Sequence, residues 1–154
     1  MIPQLNKINT KISNMLSVGS SGHNEITPFD IIACVPNTLT GQLLLYIAQD
    51  HRPPRKLNNL ITNHCLKHYN SVKGKRQWTR RSKQLHDFEI KRMGEIAINS
   101  IVTFKHVTDR KLAEKIGEAK TTCQNNYVPV YDEIMNYLLM NLSTSIRKTL
   151  KKAK

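Results

Sequence analysis

The sequence predicts an all-α fold: a compact multi-helix domain containing a helix-turn-helix, preceded by a flexible N-terminal arm. Three observations carry this. Apolar residues recur at three- and four-residue intervals in most segments, and no stretch alternates with the two-residue period of a strand. Threonine, proline and glycine fall where helices begin and end. Residues 108–127 have the layout of two short helices joined at a glycine.

Taken in order, residues 1–16 predict a short amphipathic helix through Leu5, Ile8, Ile12, Met15 and Leu16. Residues 17–24, rich in serine and glycine, read as a linker. Residues 1–24 are therefore expected as a flexible arm outside the core, and residues 25–154 as a single helical nucleic-acid-binding domain. Thr27, Pro28 and Asp30 form a helix start, and Pro36 stops that helix. Thr38 or Thr40 opens the next, with Leu39, Leu43, Leu44 and Ile47 on one face. A third begins at Pro54 and carries Leu57, Leu60, Ile61, His64, Cys65 and His68. Residues 71–83 lack apolar periodicity and read as a basic loop. A long helix is expected over about 84–103 through Leu85, Phe88, Met93, Ile96, Ala97 and Ile101. The last, about 131–151, repeats Ile134, Leu138, Leu142, Ile146 and Leu150 and ends in a basic run.

The 108–127 segment is the most specific. Thr108 caps the first helix, and Leu112, Ala113 and Ile116 share a face. Gly117 supplies the left-handed backbone that a tight inter-helix turn requires. Cys123 then anchors a second helix and leaves Lys120, Thr121, Gln124 and Asn125 outward, side chains that bond to phosphates and base edges. An ordinary helix closed by a glycine C-cap carries the same Leu-x-x-x-Ile-Gly pattern. Glu118 and Asn126 occupy positions where apolar residues are usual. The second helix can regain its packing if Tyr127 and Val128 turn inward.

The chain has 154 residues, 39% of them apolar, and a net charge of +13; its mean hydropathy is −0.46. The charge is uneven. Residues 1–50 hold two Lys against three acids, 51–92 twelve Lys/Arg against two, and 93–154 ten against six. So basic a middle third implies an anionic macromolecular partner, nucleic acid being the commonest. Within it Lys73, Lys75, Arg76, Arg80, Arg81 and Lys83 surround Trp78, a pattern suited to phosphate neutralisation with base stacking. A solvated loop with Trp78 tucked onto the core has the same composition.

Catalytic, metal and cofactor chemistry are not expected. Cys34, Cys65 and Cys123 are far apart, without the paired spacing of a disulfide framework or zinc site, and read as buried hydrophobes. His64 and His68 share a helix face but lack a third ligand nearby in sequence. Asp87 and Glu89, beside His86 and Arg92, are two apart on a helix and do not face a common metal. No apolar run reaches the length of a membrane span, and the N-terminus lacks a secretory signal's apolar core, so no membrane and a cytoplasmic location are expected.

Residues 90–98, Ile-Lys-Arg-Met-Gly-Glu-Ile-Ala-Ile, and 110–117, Arg-Lys-Leu-Ala-Glu-Lys-Ile-Gly, are followed by Thr-Cys-Gln-Asn-Asn-Tyr at 122–127, Val-Tyr-Asp-Glu-Ile at 130–134 and a basic terminal helix. In this order they resemble the lambdoid-phage Q-type late-gene transcription antitermination proteins. The resemblance covers roughly the last 65 residues. It implies a non-enzymatic factor that binds double-stranded DNA near a late promoter. Such a factor engages RNA polymerase and its sigma factor in a bacterial host cell and carries transcription through terminators. Some members hold a cysteine zinc cluster, whose paired cysteines this chain lacks. A helix-turn-helix repressor or activator without antitermination, and a basic RNA-binding module, are the alternatives that the residues leave open.

Overall fold

The computed structural model describes residues 2–17, 28–72 and 85–153, and among them it holds eight helices and no strand. These are α1 (Ile2–Ser17), α2 (Pro28–Ala33), α3 (Leu39–Ala48), α4 (Arg55–Val72), α5 (Asp87–Thr103), α6 (Asp109–Ile116), α7 (Lys120–Asn126) and α8 (Val128–Ala153). The all-α expectation is met. Among the described residues no helix is long and apolar enough to cross a membrane.

The chain divides into two compact units, residues 1–57 with 139–154, and residues 58–138. The boundaries fall inside α4 and α8, both continuous helices without a break in composition. The expected boundary after residue 24 marks neither of them.

In the first unit the N-terminal segment is not an arm over its helical part. Leu5, Ile8, Ile12 and Met15 of α1 are all buried, α1 packs on α2, and Lys11 Nζ donates to Ser143 Oγ at 3.1 Å. The amphipathic stripe decides this, because its apolar face gains more from leaving water than the ends of a chain lose in freedom. Residues 18–24 of the expected arm lie outside the described residues, as does the Thr27 cap. At α3, Thr38 Oγ1 accepts from the Gly41 amide at 3.0 Å. Gly41 lies under the Pro36 carbonyl, whose oxygen would stand 2.0 Å from any Cβ there, so only glycine fits. Asp50, with φ 55°, ends α3 in a left-handed turn closed by His51 N–H to Tyr46 O at 2.9 Å.

In the second unit, α4 buries Ile61, Cys65 and Tyr69 at a four-residue repeat, and Thr62 beside them. That repeat leaves Leu60 and His64 outside the core, against expectation. His68 Nε2 bonds Glu133 Oε1 at 3.1 Å, and its ring stacks on Tyr137 with centroids 4.1 Å apart. Ser71 and Val72, read as the start of the basic loop, complete α4 instead, and Ser71 Oγ donates to His68 O at 2.7 Å. On α5 the buried face is Ile90, Met93, Gly94, Ala97, Ile98 and Ile101; Ile96 is half-buried and Phe88 is 70% exposed. The actual stripe repeats from Ile90, which turns Phe88 outward. Phe104 (φ 53°) closes α5, with Lys105 N–H bonded to Ser100 O at 3.1 Å. In the same unit α8 buries Ile134 and Leu138, with Tyr131 and Met135 completing the seam.

The cysteines follow the reading as small hydrophobes at two positions. Cys65 and Cys123 are buried, while Cys34 is half-buried and its Sγ donates to Asp30 O at 3.2 Å.

Candidate nucleic-acid interface

Thr108 Oγ1 accepts from the Lys111 amide at 3.2 Å and so caps α6. Leu112 and Ala113 are buried, and the half-buried Ile116 completes the face. Gly117 adopts φ 82°, ψ 31°, and its N–H and that of Glu118 both reach the Ala113 carbonyl, at 2.8 and 3.0 Å. The turn is three residues, Gly117 to Ala119, and α7 then packs against α6. No neighbouring atom would touch a Cβ at Gly117, so its requirement is one of backbone conformation alone. Gly117→Ala is accordingly expected to destabilise the chain by about 1–2 kcal/mol, read from denaturant unfolding. Gly117→Asn should cost less, because asparagine visits the left-handed region more readily.

Cys123 and Tyr127 hold α7 inward, with 0% and 2% of their surface exposed. Of the two ways for α7 to regain its packing, tyrosine supplies it; Val128 is only half-buried. The Tyr127 hydroxyl donates to Glu89 Oε2, while Glu89 Oε1 accepts from the His86 amide at 3.1 Å. One carboxylate thus caps α5 and ties the end of α7 to it. Arg92 adds a second tie from α5: its Nε and Nη2 donate to Lys115 O at 3.1 and 2.7 Å, satisfying the last turn of α6. Glu89 and Arg92 are therefore bracing residues of α6 and α7. His-x-x-Glu at 86–89 was the available sign, with the spacing of a capping box; the partners of Arg92 and Tyr127 depend on chain brought back from 23 and 38 residues away.

Burial and nearby acids set the protonation of the buried groups. Burial first, then the bond to and charge of Glu89, pushes the Tyr127 phenol up. The Cys123 thiol is pushed up by burial, then by Asp109 and Glu118. Neither group is a nucleophile or base at neutral pH, which suits an anchoring role.

Lys120, Thr121, Gln124 and Asn125 are all exposed on the outer side of α7. Gln124 Nε2 makes only a long, 3.4 Å contact with Asp109 Oδ2. Four cations (Arg110, Lys111, Lys115 and Lys120) lie among three acids (Asp109, Glu114 and Glu118) over α6 and α7, so the local field is weakly positive. Arg110 and Glu114 approach at 3.9 Å, both exposed, a pairing of little energetic weight. The remaining expected contacts, Lys73, Lys75, Arg76, Trp78, Arg80, Arg81 and Lys83, lie outside the described residues.

No protein-family model matches the chain, and neither a curated protein nor a solved structure does.

Proposed function

We propose that this chain is a sequence-specific double-stranded DNA-binding protein whose α7 reads the major groove. The observation that carries the proposal is the division of α7 into an anchored side, Cys123 and Tyr127, and an exposed side, Lys120, Thr121, Gln124 and Asn125. Amide side chains pair bidentately with adenine, and lysine and threonine reach guanine edges or phosphates. A helix held by its neighbours through a short turn presents such groups in fixed register. The lysines and arginines of residues 73–83 supply affinity without sequence preference, weakening steeply with salt.

Selection from a random duplex pool near physiological salt tests the reading, and an enriched sequence is expected. Gln124→Ala and Asn125→Ala are each expected to lower preference for that sequence by about tenfold, within the range for a bidentate base contact. Binding to unselected duplex at low salt should change little. Tight low-salt binding with no enriched sequence would instead make the chain a general phosphate binder and leave RNA as the partner to test.

The resemblance to Q-type factors extends the proposal to antitermination, in which the bound protein modifies RNA polymerase, with its sigma factor, to pass terminators. A templated transcription assay with the selected site upstream of a terminator checks this. Read-through is expected; sequence-specific binding without read-through would make the chain a repressor or activator.

A further inference from the structure

We infer that the second unit carries a separate pocket for one unpaired nucleobase bearing an amino group, walled by Phe88 and His86 and edged by Glu118. The inference rests on the nucleic-acid reading above but concerns bases that α7 would not touch.

Phe88 is 70% exposed on the first turn of α5, a large apolar surface left in water. The exposed His86 ring lies nearly parallel to it, at 7° with centroids 5.7 Å apart. These rings border a cavity of about 250 Å³ whose other walls include Arg92, Ile116 and Tyr127. Aromatic faces accept any base by stacking.

The polar edge narrows the ligand. Glu89 is committed to His86 N–H and Tyr127, and Arg92 to the Lys115 carbonyl. Glu118 also lines the cavity and is exposed, and its carboxylate has no hydrogen-bond or ion-pair partner among the described residues. A carboxylate there accepts from an exocyclic amine, as glutamate does from the amino group of cytosine, whereas an unpaired thymine offers it a single imino N–H flanked by two carbonyls that repel it. An apolar protein side chain would fill the aromatic wall but leave Glu118 desolvated without a donor.

Fluorescence anisotropy of the full chain with labelled single-stranded oligo(dC) and oligo(dT) at low salt tests this. Oligo(dC) is expected to bind the more tightly. Phe88→Ala should weaken both by about tenfold, and Phe88→Tyr should restore them, because stacking is tolerant of the ring's substituent. Glu118→Gln, which keeps an acceptor but loses the charge, should narrow the preference for oligo(dC). The exposure of Phe88 means its removal leaves helicity unchanged by circular dichroism. Equal binding of both strands by the original and Phe88→Ala proteins would overturn the pocket, as would an absence of single-strand binding. Duplex selection by α7 should survive Phe88→Ala. Loss of that selection in the original chain, with the Phe88 effect intact, would defeat the duplex proposal alone.

Discussion

Tyr127→Ala is expected to destabilise the chain by about 3–5 kcal/mol, the cost of emptying a large aromatic site in a packed interior. Tyr127 is 2% exposed and closes α7 at its junction with α8, so truncation opens a cavity where the α7 anchor sits. It also frees the Glu89 oxygen that the hydroxyl holds. Tyr127→Phe separates these contributions. It keeps the ring and loses only the charge-assisted bond, for an expected loss of about 1.5–3 kcal/mol. Urea unfolding of the three proteins provides the comparison. Equal stability of Tyr127→Ala and the original chain would mean that α7 is not anchored through this residue. DNA selection by any folded Tyr127→Ala protein should be blurred, because a loosened α7 no longer presents Gln124 and Asn125 in one register.

Raising the pH above 9 should progressively destabilise the protein, over a range in which its lysines also begin to titrate. Burial pushes the Cys65 thiol from its ordinary 9.0 to about 12, and the Tyr131 hydroxyl from 10.0 to about 12. Tyr69 and Tyr137 move upward through burial too. A group whose pKa is higher in the folded state contributes nothing to pH dependence while it is protonated in both states. Above its unfolded value the unfolded chain releases the proton and the folded chain does not, so stability falls until the folded value is reached. For Cys65 that window runs from pH 9 to about 12, and for Tyr131 from 10 to about 12. At pH 11 the two together remove about 4 kcal/mol, a large part of the marginal stability of an ordinary domain. Urea midpoints measured between pH 7 and 11 should fall chiefly above pH 9. Cys65→Ala should flatten the first part of that fall, since it removes one of the two buried thiols, with Cys123, that start lowest, at 9.0. An unchanged slope in Cys65→Ala would show that the thiol stays accessible to ionisation in the folded chain.

Much of the fold was legible in the residues because helix signals are local. Thr38 and Thr108 each bond an amide three residues on, and Gly117 takes the left-handed conformation that its place after Ile116 called for. The α7 face was legible as well, since one buried cysteine orients a seven-residue helix. What failed were choices between faces. Leu60 and Phe88 fit an apolar repeat by spacing, but each helix has room for one stripe against its neighbours, and the stripes start at Leu57 and Ile90. The reading of α1 as an arm failed similarly. A neighbouring serine- and glycine-rich stretch suggested a free end, while the burial of Ile8 and Met15 depended on other parts of the chain.

By itself, then, the sequence determined the helical class, the caps and turns, the clustered positive charge and the outward side of α7, all consequences of residues within one or two helical turns of one another. Tertiary structure alone decided that Glu89 and Arg92 brace α6 and α7, that Tyr127 anchors the junction, that Phe88 and Glu118 border one pocket, and that α4 and α8 each run through a unit boundary. Those outcomes bring together residues up to 38 positions apart, and no local pattern records which distant partner a side chain will meet.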